Sequence, residues 1–328
     1  MTFESELWRP TASLQTLKHR ARILQNIRAF FAARNVLEVQ VPCLSSSSVT
    51  EVHIDSIPVK LLSGKTFLHT SPEYPMKRLL AAGIGDCFYL GPVFRQGESG
   101  EKHNPEFTML EWYRIGFSIK DLAHEVIELA REIMDCDVEV QHYSYADVVH
   151  EYTGIDVFDT SVSEIQEVLN QKHIDIPGGL TDDFSSCLDL LVSTLVFPNL
   201  RSASEASRRI TLIQGYPASQ AALAKIQKDA QGRNVAARFE VFVEGVEIAN
   251  GYDEVQDAEL LAQRFLQDNQ RRVALGKSPM PVDKYLLEAM RSGLPECAGV
   301  ALGVDRLIML ALQKNSIKDV MAFPVERI

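Results

Sequence analysis

Residues 94 to 113 read FRQGESGEKHNPEFTMLEWY and set Arg95, His103, Glu106 and Glu111 among Phe94, Phe107, Trp112 and Tyr113. From Phe107 onward a two-residue period places Phe107, Met109, Glu111 and Tyr113 on one strand face. A carboxylate between aromatics on such a face is costly to bury unless a cation meets it. Arg95, at a strand end and followed by the loop GESGEK, suits bidentate recognition of a phosphate or carboxylate. His103 and Asn104 close the same loop and could reach a polyphosphate, although a lone loop histidine is often only a surface residue.

A second set lies in RFEVFVEGVEIANG. Glu244-Gly245 reads as a two-residue turn, so Val243 faces Val246 and Phe242 faces Glu247. Glu240 then shares a sheet face with Glu247, roughly 6–8 Å away on the diagonal. Two carboxylates at that separation repel unless a cation lies between them. Magnesium suits the pair, since it takes one or two carboxylates and completes its shell with water and substrate phosphates. Equally, both could face solvent on an edge hairpin.

A third set is AGVALGVDRLIML, in which Gly299 and Gly303 flank a short apolar strand and Arg306 falls in the first turn of the next helix. A helix N-terminus beside a glycine can hold an anion or a flat ring, and an arginine there can stack on a base. The same pattern also describes a tight strand-to-helix turn with a solvated arginine. Taken with Arg95 and Phe107, the sets can hold a nucleotide: cations for phosphates, an aromatic face for the base, carboxylates for metal. The remaining acids, Glu73 after Ser71-Pro72, Glu111 beside Tyr113, and Glu254 past Asn250-Gly251, suggest a substrate bearing ammonium groups. Glu111 is therefore expected to meet an amine.

The elements that must position these residues are legible from periodicity. Residues 14 to 34 place Leu17, Ala21, Leu24, Ile27 and Phe31 at helical spacing, with Asn35 as a stop. VLEVQVP then turns Leu37, Val39 and Val41 inward until Pro42 ends the ladder. TSPEYPMKRLLAAG reads as a strand end and a short helix closing at Gly83. Residues 86–96 and 105–113 form hairpin arms, and a long helix covers 119–135. Residues 144–209 change to helical patterns broken by loops at IDIPGGLTDD and VFPNLRSASEAS, which reads as a helical insertion. Strands resume at ITLIQGYP and RFEVFVEGVEIANGYDEV, a charged helix covers 257–275, and a strand running into a helix ends the chain. Antiparallel strands flanked by helices make an α+β architecture.

The chain has 328 residues and is 46% hydrophobic, enough for one large domain or a core with an insertion. A net charge of −11 leaves no overall basic footprint for nucleic acid. The N-terminus lacks a signal-peptide pattern, and no apolar run approaches membrane-spanning length. The cysteines (Cys43, Cys87, Cys136, Cys187, Cys297) are widely spaced without a CxxC pair, and read as reduced cytoplasmic thiols with neither zinc nor a disulfide framework.

The helix and strand ending at Pro42, the FRQGESGEKHNPEF hairpin and GVALGVDR resemble, in order, motifs 1, 2 and 3 of class II aminoacyl-tRNA synthetases. HNPEFTMLEWY and FEVFVEGVEIANGYDE are similar to the lysine-specific branch. The first motif begins by about residue 14, which leaves no room for an anticodon-binding domain, so residues 1–328 are expected to be a stand-alone catalytic core. Such a core resembles the bacterial paralogues that attach (R)-β-lysine to a lysine of elongation factor P. Ala301 in place of glycine, VTEVH without a glycine pair, and PASQAALAK in place of PAEVSPLAK support that branch.

The resemblance implies ATP and Mg2+ as cofactors, lysine or (R)-β-lysine as substrate, elongation factor P as acceptor, a homodimer, and no stable tRNA binding. It implies Arg95 at the α-phosphate and substrate carboxylate, with Asn250 near that carboxylate and His103 and Asn104 at the ATP phosphates. Phe107 and Arg306 would sandwich the adenine; Gln96, Gly97, Glu98, Ile248 and Gly303 complete the ATP site. Glu240 and Glu247 would bind magnesium. Glu111 would take the amine nearest the reacting carbon, and Ser71, Pro72, Glu73, Tyr113 and Glu254 would surround the distal ammonium beside Ala301. Synthetases carry glutamate two places after the motif 2 arginine, where this chain has Gly97, with Glu98 one place later. Arg208-Arg209 and Arg271-Arg272 are candidate docking pairs for an acidic partner, or simply solvated arginines. The competing readings are a stand-alone tRNA-aminoacylating enzyme, a small-molecule amide ligase of asparagine synthetase type, and a non-catalytic regulatory subunit that binds an amino acid.

Overall fold

The computed structural model of the chain describes residues 8–62, 64–178, 183–203 and 207–328. The N-terminal MTFESEL stretch, and positions 179–182 and 204–206 of the expected loops, lie outside the described residues.

Helix α1 (Leu14–Ala32) opens on Ser13, whose side chain accepts from the Thr16 amide at 3.1 Å, and stops before Asn35, held at φ 56°. Its buried stripe is Thr16, Ile23, Ile27, Phe30 and Phe31. The expected stripe is therefore rotated: Ala21 is exposed, and Leu17 and Leu24 are half-buried. The tertiary anchor that sets this rotation is Phe31, which stacks on Phe88 at 4.6 Å and meets Trp112 edge-on at 5.2 Å. Strand β1 (Leu37–Glu38) is too short for the expected alternation. Val36 and Val39 turn inward, while Leu37 stands 50% exposed.

The chain continues through β2 (Leu44–Ser45), β3 (Pro58–Leu61), β4 (Gly64–Leu68), α2 (Glu73–Ala81), β5 (Cys87–Phe94), β6 (Glu106–Ile115) and α3 (Ile119–Met134). Next come β7 (Val138–Ser144), α4 (Tyr145–Thr153), α5 (Val162–Gln171), α6 (Phe184–Leu191), β8 (Arg208–Gln214), β9 (Ile226–Lys228), β10 (Asn234–Ala236), β11 (Arg238–Val243) and β12 (Val246–Asp253). Then α7 (Ala258–Ala274), α8 (Lys284–Gly293), β13 (Cys297–Gly303) and α9 (Val304–Ala311) follow. Strands and helices thus mix in α+β fashion. They fall into two compact units: Met1–Ser118, Glu128–Asp135 and Val255–Ile328 in one, Ile119–Ile127 and Cys136–Glu254 in the other.

In the first unit the strand order is β1-β5-β6-β13, with β1 parallel to β5 and the other pairs antiparallel. The register sets Phe88 opposite Trp112, and Tyr89 opposite Glu111, which in turn faces Ala301. Alternation sends Phe88 and Trp112 toward α1 and leaves Tyr89, Met109, Glu111 and Tyr113 on the other face. There Met76 and Leu80 of α2, with Val93 and Cys297, close an apolar floor. A small antiparallel sheet, β2-β4-β3, completes this unit.

In the second unit the order is β12-β11-β8-β7, with β7 parallel to β8 and helices α4 to α6 between them in sequence. Local signals shape this stretch: Ser144 caps α4, Gly154 ends it at φ 77°, and Ser161 with Glu164 forms a capping box on α5. Tyr145, Val148, Leu188, Leu191 and Phe242 belong to its core. The Glu244-Gly245 turn has φ of 50° and 71°, the left-handed pair that a two-residue hairpin turn requires.

No helix among the described residues is long and apolar enough to cross a membrane. The five cysteines are free thiols.

Candidate active site

Glu111 stands at the centre of the first unit's inner face and is 2% exposed. Its Oε2 accepts from the Ser71 hydroxyl at 2.7 Å and its Oε1 from the Tyr113 hydroxyl at 2.8 Å. Ser71 is itself set by the turn into α2, where its Oγ accepts the Glu73 amide at 3.0 Å and Pro72 is the N-cap residue. Two hydroxyls, then, meet this carboxylate directly. The cation stands one residue away: Lys77 Nζ donates to Glu73 Oε1 at 2.6 Å. Burial, then the like charge of Glu73, push the Glu111 carboxyl up to about 8; the two hydroxyls and Lys77 pull the other way. Such a group gains most from an incoming ammonium, which would favour its ionised form.

Arg95 lies just past β5. Its amide donates to Pro105 O at 2.8 Å and the following amide, of Gln96, to Asp55 O at 2.7 Å, so the backbone is held on both sides. The guanidinium lies 5.1 Å from the Phe107 ring centre and 3.5 Å from Glu98. Its Nε is buried without a hydrogen-bond partner among the described residues. A buried cationic donor left over beside an aromatic ring fits an anionic ligand such as a phosphate or carboxylate. The loop reverses at Gly97, where φ is 80°.

Across that loop, Arg306 Nη2 lies 2.6 Å from His103 Nε2, and Arg306 Nε donates to Lys102 O at 3.2 Å. Its helix is locked in place by the buried Asp305, which takes Arg20 Nη1 at 2.5 Å and the Thr108 amide at 2.7 Å. Gly303, the residue before α9, faces Met109 on β6. Asn104 differs from expectation. It is buried, donates from Nδ2 to Glu106 O at 2.6 Å and accepts the Val325 amide at 3.0 Å, so its side chain braces backbone instead of pointing toward phosphate.

In the second unit, a register shift between Val241 and Phe242 pairs Glu240 with Asn250 while Phe242 pairs with Glu247. Residues 247 and 250 are an odd number apart and would point to opposite faces of a plain strand. The bulge at buried Ile248 brings Glu240, Glu247 and Asn250 to one face. Glu240 pairs with Arg238 and accepts from the Tyr216 hydroxyl at 2.6 Å, and Arg238 Nε donates to Asn250 Oδ1 at 3.2 Å. Burial raises the Glu240 carboxyl, Arg238 lowers it and Glu247 raises it again, to about 7 overall. Two like-charged carboxylates on one face fit a divalent cation, which would share Glu240 with Arg238. Among the described residues no group of three or more His, Cys, Asp or Glu side chains is placed to hold a metal ion. Glu254 is buried and bridges through its backbone to Ala224.

Sequence reasoning missed Lys77, Arg238 and Tyr216. An EYPMK stretch carries a visible i,i+4 acid–base pair, but that pattern usually marks a solvated helix face. It also misplaced one docking candidate. Arg272 is 1% exposed; it binds Glu51 O, Ile54 O and Ser278 O and pairs with Asp55 at 2.6 Å, so it is a buried brace. Arg209 pairs with Glu139 at 3.3 Å.

Comparison with known proteins agrees with these elements. The model of class II tRNA synthetases (D, K and N) matches residues 6–327. Proteins named elongation factor P–(R)-beta-lysine ligase are similar along the whole chain. The one from Haemophilus ducreyi is 46% identical, over 98% of this chain and 97% of its own length. Those from Histophilus somni and Pasteurella multocida are 44% and 43% identical, over 98% and 99% of this chain and the same shares of theirs. A hairpin that delivers Arg95, a strand-to-helix turn that delivers Arg306 and a match from residue 6 to 327 lead to one conclusion: the chain belongs to the class II tRNA synthetase family of the D, K and N type.

Proposed function

We propose that this chain is an ATP-dependent ligase that activates (R)-β-lysine, or lysine, as an aminoacyl-adenylate and transfers it to a lysine side chain of elongation factor P. The observation that carries the reading is the Glu111 carboxylate, buried and held by the hydroxyls of Ser71 and Tyr113, where an ammonium would match its charge. The shared name of the full-length relatives supports the choice of amino acid and acceptor.

In the first step the substrate carboxylate attacks the α-phosphorus of ATP, forming the adenylate and releasing pyrophosphate. Arg95 would bind the α-phosphate and stabilise the charge that develops, using the Nε donor that has no hydrogen-bond partner among the described residues. Phe107 and Arg306 would hold the adenine and His103 the phosphates. Glu240 and Glu247 would hold Mg2+, whose contribution is charge neutralisation of phosphate oxygens. In the second step the neutral amine of the acceptor lysine attacks the adenylate carbonyl and AMP leaves. No side-chain nucleophile is needed, so positioning does most of the work.

The helical stretch 144–209 would be an insertion in the catalytic core, and the enzyme would work in the cytoplasm. A homodimer would account for Leu14 and Leu37, 68% and 50% exposed near the start of the chain, by burying them in a two-fold interface; sedimentation analysis checks this. The central test is the intact mass of elongation factor P after incubation with enzyme, ATP and lysine isomers, run beside tRNA-Lys with the same labelled substrate. A mass gain of one lysyl group on the protein is expected. Label on tRNA alone would overturn the proposal.

A further inference from the structure

Arg238, at the start of β11, spreads one guanidinium over acceptors on three sides. Its Nη2 pairs with Glu240 Oε1, its Nη1 donates to Gln220 O at 2.9 Å and its Nε donates to Asn250 Oδ1 at 3.2 Å. The guanidinium carbon lies 4.5 Å from the Tyr216 ring centre and 5.9 Å from that of Tyr252. The register explains this convergence. Arg238 pairs with Tyr252, and Glu240 with Asn250, across the β11–β12 ladder, so these side chains rise from one face. Glu240 is fixed in turn, because its Oε2 accepts from the Tyr216 hydroxyl at 2.6 Å.

The chemistry of the Arg238–Asn250 contact has a definite polarity. A guanidinium only donates, and its fork is rigid. An asparagine can therefore meet Nε only through its amide oxygen, which fixes the end of the amide that points away. That end is Nδ2, with its two N–H donors, and Asn250 is half-buried, so the group is open to a ligand. Turned the other way, the amide would offer oxygen lone pairs, which repel an anion. Turned this way, it suits a carboxylate.

We propose that Arg238 is a positioning residue for the substrate's carboxylate: it holds the Asn250 amide with Nδ2 toward that group, while Glu240 and the Gln220 carbonyl keep the guanidinium from turning away. This rests on the reading of the chain as a lysine-activating ligase with Asn250 near the substrate carboxylate. Arg238 acts through Asn250 and needs no contact with the substrate itself.

The test compares each amino acid with the diamine that lacks its carboxylate: L-lysine with cadaverine, and (R)-β-lysine with its decarboxylated diamine. Affinities are measured by titration calorimetry for the wild type, Arg238→Lys, Asn250→Ala, Asn250→Asp and Arg238→Lys/Asn250→Ala. The ratio of the two affinities isolates the carboxylate, whereas a brace that merely supports the fold would weaken both ligands alike. In Arg238→Lys an ammonium still faces Glu240, but the fork is gone and the amide is free to turn. The ratio should fall about tenfold, as for loss of one hydrogen bond to a charged group, while the diamine binds within about twofold of the wild type. Asn250→Ala should lower the ratio to the same extent, and the double variant no further, since the two residues act as one unit. Asn250→Asp keeps an acceptor for Arg238 but has no N–H, so it should fold and lose the ratio at least as far. If Arg238→Lys does not fold, as judged by its unfolding transition, Asn250→Asp decides by whether a side chain that keeps Arg238 but lacks the donor still binds the carboxylate. A wild-type ratio in Arg238→Lys or Asn250→Asp, equal weakening of both ligands, or losses that add in the double variant would overturn the inference. Failure of the wild type to bind any diamino acid would instead remove the underlying reading, and the inference with it.

Discussion

Replacing Glu111 by glutamine should make the ligand-free protein more stable, and more so as pH rises. In the folded chain the carboxyl holds its proton up to about pH 8, against 4.5 as the ordinary glutamate value. A group whose folded pKa is raised contributes stability that is complete below the unfolded value and is lost as pH climbs to the folded value. For Glu111 that window runs from 4.5 to about 8. The interval corresponds to at most about 5 kcal/mol, since each pH unit is worth about 1.4 kcal/mol.

Glutamine is nearly isosteric with the protonated acid but cannot ionise, so it avoids the loss. One of the hydroxyls of Ser71 and Tyr113 must then turn to accept from the amide, at a cost of about 1 kcal/mol. Urea unfolding of both proteins without substrate should show similar stability near about pH 5. The variant should lead by about 3–4 kcal/mol near about pH 9, with the gap opening between. A gap that does not change with pH, or a variant that is weaker at alkaline pH, would refute the argument that burial dominates this carboxyl.

Arg95→Ala should abolish ATP–pyrophosphate exchange, a loss of at least several kcal/mol of transition-state stabilisation; near-normal exchange would remove Arg95 from the chemistry. Ala301 lies directly opposite Glu111, so Ala301→Gly should raise activation of α-lysine relative to (R)-β-lysine. A methyl-sized change gives about 1–3 kcal/mol, or a tens-fold shift in the ratio of kcat/KM values, and an unchanged ratio would count against this placement. Arg272→Met should cost about 1–3 kcal/mol in a thermal or urea melt by leaving three carbonyls without their buried donor, while Asp55, 34% exposed at its side chain, keeps Lys277 at 2.9 Å. It should also slow exchange, because Asp55 O holds the Gln96 amide beside Arg95; a variant of wild-type stability would refute the bracing role.

Much of the fold was legible because local rules agreed with the tertiary outcome. The Glu244-Gly245 turn, the stop at Asn35, the close of α2 before Gly83 and the two hairpin arms each follow from backbone preferences that neighbours do not alter. The period-two reading of Phe107, Met109, Glu111 and Tyr113 likewise needs only the strand. It failed at Leu37, where a two-residue strand leaves no room for alternation, and on α1, where helical spacing permits several stripes.

By itself, then, the sequence determined residue types, spacings and local geometry: arginine at the end of a strand, glycine before a helix, carboxylates diagonal across a hairpin. Only the tertiary structure decided which charges meet. Spacing cannot reveal that Lys77 is buried against Glu73, that Arg272 faces inward, that Asn104 braces backbone, or that a bulge turns Glu247 and Asn250 to the same face. The physical reason is that ion pairing and proton affinity depend on burial and on partners distant in the chain, here Ser71 with Glu111 and Arg20 with Asp305, whereas turns and periodicity depend on adjacent residues alone.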